Sequence, residues 1–242
     1  MLFRSIVAIG IGVMVLATAG LMAAWLHGVR IPFASGSTDF TFQKFDVARN
    51  LGNQSDGTVF VLLVGSDLRP GVSGARGDAI HVLAINPTLG AGSILNFPRD
   101  TCVDVPGYGT RRINEANSNG GLELTAATID QLAGTNIQYG MGVDFDGFLS
   151  LVNAVGGVQV DVPTEMNDSY SGANFQPGPQ RLSDHQALGF SRDRHDFPQG
   201  DITRSGNQGL LILSALAQLQ QEASTVPQQL RLAALEIGRA HV

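Results

Sequence analysis

Three apolar runs packed into residues 59–97, each bordered by charge, constrain this chain more than any other feature. The first, Val59-Phe60-Val61-Leu62-Leu63-Val64, gives out on Gly65-Ser66-Asp67. A polar, glycine-rich loop over residues 68–77 then delivers Asp78 at the head of a second run, residues 79–85. Asn86-Pro87 and Gly90-Ala91-Gly92 mark a turn, and the third run, residues 93–97, stops at Pro98-Arg99-Asp100. Runs of this length, rich in Val and Ile and bounded by Gly and Pro, read as buried strands. Their short connections allow antiparallel neighbours. The first strand then ends, the second starts and the third ends at one edge of the sheet, so Asp67, Asp78 and Arg99 converge there. Two carboxylates and a guanidinium at one rim suggest a site for a divalent cation and a phosphate.

Charge points the same way. Net charge is −6 with no basic run, which argues against nucleic acid as a partner. Of 15 Lys and Arg residues only Lys44 is a lysine, and nine of the arginines lie between Arg69 and Arg204. Arg grips phosphate in a bidentate fork, so a locally cationic pocket on an acidic protein would suit an anionic substrate. Lys44 belongs to no phosphate-binding loop, which argues against a nucleotide-dependent enzyme. The single cysteine, Cys102, excludes an internal disulfide and reads as a small buried residue.

Residues 6–26 form a stretch of 21 residues without a charge, roughly 31 Å as a helix and enough to cross a bilayer. With Arg4 inside, the N-terminus is expected in the cytoplasm and the rest outside it, a single-pass protein of the cell membrane; a signal peptide cleaved near Ala17-Thr18-Ala19 is the rival reading. Residues 1–30 are thus expected as a short cytoplasmic start plus anchor, 31–57 as an extracytoplasmic stalk, and 58–235 as the main domain. Residues 236–242 spell what a common sequencing adapter yields on translation, so they are given no role and the domain is expected to be truncated. Within the domain, residues 110–119 read as a polar loop in which Arg111 and Arg112 are solvated. Residues 122–132 read as a helix closed by Gly134, 137–143 as a strand, 146–155 as a helix and 158–162 as a strand. Residues 164–180 read as a loop. Ser183 caps a helix over 183–188 that gives way to an extended segment, 190–194, and a last helix covers 201–221. Strands and helices interleave without a repeat, so the class is α/β or α+β.

The second half of the site falls between Arg192 and Gln208. Two positions apart in an extended segment, Arg192 and Arg194 would point the same way. Asp201, Arg204 and Gln208 fall on one face of the last helix, whose positive N-terminus favours phosphate. Asp201 taken alone reads as an N-cap. His81 reads as a satisfied core residue and His195 as an exposed loop histidine.

These residues carry a resemblance. Val64-Gly65-Ser66-Asp67 with Arg69, Arg76-Gly77-Asp78, Asn96-Phe97-Pro98-Arg99-Asp100 and Ile113-Asn114-Glu115-Ala116 occur in order. Gly156-Gly157-Val158, Ala187-Leu188 through Arg192-Asp193-Arg194, and Gly200-Asp201 with Arg204 and Gln208 follow. Over residues 59–219 the chain resembles the LytR-CpsA-Psr family of envelope phosphotransferases. The resemblance implies an α/β/α sandwich around a central mixed or antiparallel sheet, tethered outside the membrane by one N-terminal transmembrane helix. It implies transfer of a glycopolymer from a polyprenyl pyrophosphate to a peptidoglycan hydroxyl through a phosphodiester. Asp67 and Asp78 match the positions that hold Mg²⁺ (or Mn²⁺). Arg76, Arg99, Arg192, Arg194 and Arg204 match the phosphate-neutralising arginines, with Asp201 and Gln208 at the remaining polar positions. The expected catalytic set is Arg99, Arg192, Arg194, Asp201 and Arg204. Asp201 is the first candidate for general base, with Asp193 and Asp196 as alternatives. Three positions depart from the family pattern: Asn207 stands where a second arginine is usual, Asn96-Phe97 replaces Ser-Ile, and Ser191 replaces a more apolar residue. A hydrolase of the same pyrophosphate, a non-catalytic lipid binder and a regulator are the alternatives.

Overall fold

A computed structural model describes residues 40–45, 57–66, 76–86, 89 and 91–225. The apolar stretch at 6–26, the greater part of the expected stalk, Asp67, Arg69 and the 236–242 tail lie outside the described residues. Among the described residues, no helix is long and apolar enough to cross a membrane.

The three apolar runs are strands β2 (Val59–Ser66), β3 (Gly77–Asn86) and β4 (Ala91–Phe97). They pair antiparallel in chain order, with Leu62 opposite Val82 and Val82 opposite Leu95. Strand β7 (Ile137–Val143) runs parallel to β2 on its other side, and β1 (Phe40–Lys44) closes that edge antiparallel to β7. The sheet order is therefore β1-β7-β2-β3-β4, a mixed sheet. Its edge strand comes from residues 40–44, upstream of the expected domain start at 58.

Alternation along β3 assigns its two faces. Ile80 and Val82 pack with Leu62, Val64 and helix α1 (Ile113–Ala133), whose Ile113, Ala126 and Ile129 complete the first core. Each fully buried aliphatic contributes about 1.5–3 kcal/mol. His81 faces the other way, its Nδ1 2.8 Å from Asn96 Oδ1, toward the last helix. Helix α1 begins where a loop was expected. It breaks at Gly120 and Gly121, and Gly121 takes φ 63, a conformation open to glycine at little cost. The part read from periodicity, 122–132, is the half after this break. Between β4 and α1 lies a hairpin, β5 (Cys102–Val105) with β6 (Gly109–Arg112). Val103 and Val105 turn inward and Cys102 is exposed, not buried as expected.

A second core is built from β8 (Val158–Val162), β9 (Met166–Asp168), β10 (Ala173–Phe175) and β11 (Gly178–Leu182), with three helices. These helices are α2 (Phe145–Ala154), α3 (Asp184–Arg192) and α4 (Gly200–Thr225). The expected loop at 164–180 thus contains a short hairpin and most of a strand. Ser183 caps α3 as expected, in a reciprocal capping box with Gln186. The helix does not stop at residue 188, however, but runs to Arg192. Gly189 permits this. A Cβ there would stand 3.2 Å from Gly172 C and 3.3 Å from Ser171 O, so the glycine lets the β9–β10 turn seat against α3.

Candidate functional site

The rim where β2 ends and β3 begins is set by the pairing of Ser66 with Gly77. Asp78 follows, and because Phe97 pairs with Ile80, β4 delivers Pro98 and Arg99 to the same rim. Arg99 Nη1 donates to Asp78 Oδ1 at 2.7 Å. The tight turn after it is closed by Thr101, whose N–H and hydroxyl both donate to the Pro98 carbonyl. The first turn of α1 has no side-chain cap. Instead the Ile113 N–H donates to the Thr101 carbonyl and the Asn114 N–H to the Arg99 carbonyl. The helix N-terminus therefore fixes the backbone of Arg99.

From here the cluster widens. Asp100 accepts from Arg112 Nη1 at 3.1 Å and lies 3.7 Å from Arg99 Nε. Arg112 was read as solvated and its side chain is indeed 62% exposed; the β5–β6 register, which sets it opposite Cys102, also carries it beside Asp100. Helix α4 supplies the rest. Arg204 Nη2 lies 3.1 Å from Asp201 Oδ1, and Arg194 Nη1 reaches the same oxygen at 4.0 Å. Asp201 is not the N-cap: α4 begins at Gly200, and the Gln199 carbonyl takes the Ile202 and Thr203 N–H groups.

The electrostatics join these groups into one field. Burial opposes charge on Arg99, but Asp78, Asp201 and Asp100 outweigh it and raise its pKa. Burial and the neighbouring Arg99 and Arg194 lower the pKa of Arg204, against the pull of Asp201 and Asp78. Burial also opposes ionisation of Asp100; a hydrogen bond with Asp201 and the guanidiniums of Arg99, Arg112 and Arg204 overcome it and hold the carboxyl below the usual range. Among the described residues, four guanidiniums thus face three carboxylates. Arg99 Nε and Arg204 Nε are buried without a hydrogen-bond acceptor. Two unmet N–H donors in a cationic cluster are what an oxyanion would satisfy.

Arg76 is exposed just before β3. Arg192 is the last residue of α3 and lies over the Phe145 ring, 5.3 Å from its centroid, so it does not alternate with Arg194 along a strand. Gln208 is buried, donates to the Ser191 carbonyl at 2.9 Å and hydrogen-bonds His81. Its amide holds α4 to α3 and β3 and is not turned to the arginines. Asp193 is fully buried, and Asp196 accepts the Asn167 N–H, which leaves Asp201 as the candidate base inside the cluster. Asp67 lies outside the described residues. Asp100 and Arg112 are the members that sequence reading missed. Their signal was the Asp100 carboxylate beside Arg99, and a Gly107-Tyr108-Gly109 turn between two alternating segments.

A model of the LytR_cpsA_psr family matches residues 34–235. The Polyisoprenyl-teichoic acid--peptidoglycan teichoic acid transferase TagU of Bacillus mycoides (strain KBAB4) is 35% identical over 151 residues, 62% of this chain and 49% of that protein. Regulatory protein MsrR of Staphylococcus aureus (strain COL) is 34% identical over 157 residues, 64% of this chain and 47% of that one. The chain spans about half the length of these relatives. Among solved structures, B. subtilis TagV aligns with a TM-score of 0.60 at 30% identity, covering 67% of this chain and 65% of that one. TagT bound to LI-WTA aligns at 0.58 and 25% identity, covering 72% and 69%. The matched span takes in both cores and every described charged residue of the rim, and the chain belongs to the LytR_cpsA_psr family.

Proposed function

We propose that this chain is a membrane-anchored phosphotransferase that moves a glycopolymer from a polyprenyl-pyrophosphate carrier to a peptidoglycan hydroxyl, with Mg²⁺ (or Mn²⁺) as cofactor. The observation that carries the reading is the surplus of guanidinium at the sheet rim, with Arg99 Nε and Arg204 Nε left without acceptors. The name of the TagU relative and the structure of TagT bound to LI-WTA support the same substrate class. The apolar stretch at 6–26 would hold the site close to a lipid-linked donor.

The residues present fit a magnesium ion. Mg²⁺ keeps several waters and is held by one or two carboxylates together with substrate phosphate. Among the described residues no cluster of three or more His, Cys, Asp or Glu would hold a metal unaided. Asp78, one-third exposed and engaged by Arg99 through Oδ1, is the described carboxylate that would hold it. Asp67, outside the described residues, is the second that the resemblance implies. When bound, the ion supplies charge neutralisation at the pyrophosphate oxygens.

Phosphoryl transfer needs mainly positioning and neutralisation. Arg99, Arg194 and Arg204 would hold the pyrophosphate oxygens, with Arg76 and Arg192 at the margin. The acceptor hydroxyl oxygen attacks the phosphorus bearing the glycopolymer. The bond from that phosphorus to the bridging oxygen breaks, and polyprenyl phosphate leaves with the electron pair. Asp201 takes the hydroxyl proton. The test is to incubate the full chain with lipid-linked donor, peptidoglycan fragments and Mg²⁺. Phosphodiester-linked product is expected; release of inorganic phosphate alone would make it a hydrolase, and lipid retention without turnover a binder.

A further inference from the structure

Arg194 is carried by the loop between α3 and α4, and a set of contacts outside the arginine cluster fixes that loop. His195 Nδ1 lies 2.9 Å from Asp168 Oδ2, where Asp168 is the last residue of β9. The next residue, Asp196, accepts the backbone N–H of Asn167, the neighbour of Asp168 on the same strand. Two consecutive loop residues are thus held by two consecutive strand residues. The Asp193 carboxylate accepts the His195 N–H at 3.2 Å, and the Tyr170 ring sits 4.9 Å from the imidazole. At the other end, Gly200 approaches so closely that a Cβ there would stand 2.9 Å from the Arg194 carbonyl.

The β9–β10 hairpin is a firm support. Asp168 is 3% exposed and its carboxylate also accepts the Tyr170 N–H at 2.9 Å. The turn at Ser171 and Gly172 seats on Gly189 of α3, and Phe175 meets Phe190 edge-on at 6.0 Å. The His195 side chain, by contrast, is 46% exposed. A pair with one partner so open adds little to stability. What it does fix is the backbone of residue 195, and with it the direction of Arg194 toward Asp201. An arginine on a loose loop would lose that freedom on gripping phosphate, at a cost to affinity.

We propose that His195, held by Asp168, is a positioning residue that presets Arg194 for pyrophosphate. The inference rests on the function proposed above only in taking the arginine cluster as a pyrophosphate site. The test is calorimetric titration of geranyl pyrophosphate, with Mg²⁺, into the full chain as wild type, H195A, H195N, R194A and R194A/H195A. H195A is expected to weaken binding about tenfold, the scale of one charge-assisted hydrogen bond, with the thermal midpoint unmoved. H195N is expected to bind as wild type does, since its amide nitrogen stands where Nδ1 stood. Because His195 acts through Arg194, the double variant should bind no more weakly than R194A. Wild-type affinity in H195A, or losses that add in the double variant, would overturn the proposal. A wild-type chain that binds the probe in the expected pattern but transfers no polymer would overturn the transferase reading alone.

Discussion

On one side of the loop at 193–199, Asp78, Asp100 and Asp201 stand among Arg99, Arg112, Arg194 and Arg204. On the other side Asp168, Asp193 and Asp196 surround His195, with no guanidinium paired to them among the described residues. In the first group Asp100 is held below the usual carboxylate range by its arginines, against its burial. In the second, burial together with Asp196 and Asp168 pushes Asp193 up to about 6. Asp100 and Asp193, one in each group, therefore shift in opposite directions. The first group holds more positive charge than its own acids need, which leaves capacity for a ligand. In the second, Asp168 and Asp196 fasten one segment to another instead.

The comparison is broken most directly at Arg99. Arg99→Ala should lower transfer about 10²–10³-fold, the scale of removing one preorganised charge-stabilising donor, and leave the circular dichroism spectrum unchanged. Arg99→Lys should recover little, because an ammonium cannot span two acceptors as a guanidinium does. Full turnover in both variants would take the residue out of the mechanism. Chelation by EDTA should have a comparable effect, reversed by Mg²⁺ or Mn²⁺ and reproduced by Asp78→Asn. Transfer that persists in EDTA would remove the metal from the proposal.

Most of the rim was legible because strand ends are marked in sequence by the residues that end them. Gly65-Ser66, Gly77-Asp78 and Pro98-Arg99 bound apolar runs, and antiparallel pairing brings those boundaries together. What was not legible depended on contacts between distant segments. Helix α3 was expected to stop at residue 188, whereas Gly189 lies inside it and makes room for the Ser171–Gly172 backbone. Arg112 is exposed as expected, but its contact with Asp100 was not legible because it is reached only across the β5–β6 hairpin. Gln208 shares a helix face with Arg204 on paper, yet its amide is drawn to Ser191 and His81. A helical wheel gives direction from the axis and says nothing about which neighbour lies there.

A milder test works on α4. Gly200→Ala would place a Cβ 2.9 Å from the Arg194 carbonyl, so the loop must shift and pyrophosphate affinity should fall several-fold by the same titration. Gly206→Ala is its control on the same helix, because nothing stands within 4 Å of the added methyl. That variant should bind as wild type does and gain about 0.5–1 kcal/mol from lower backbone entropy in the unfolded chain. Equal affinity in the two variants would mean that the close approach at Gly200 does not govern Arg194.

The smallest expected effect belongs to the acidic group, and its sign is the informative part. Asp193 has no exposed surface, and its Oδ2 has no hydrogen-bond partner while Oδ1 accepts the His195 N–H. In the unfolded chain its carboxyl titrates near 3.9, and in the fold at about 6. Between these values the folded protein binds the extra proton, so stability falls as pH rises from about 4 to 6 and stays lower above that. Asp193→Asn keeps an oxygen for the His195 N–H and removes the charge that faces Asp196 and Asp168. It should therefore raise stability at pH 7.5 by about 1–2 kcal/mol, less than the full shift would give because the acids titrate together. Near pH 4.5 the two proteins should differ little. Thermal melts at both pH values decide it: an unchanged gap between variant and wild type across that range would mean that Asp193 is not the group crowded by its neighbours.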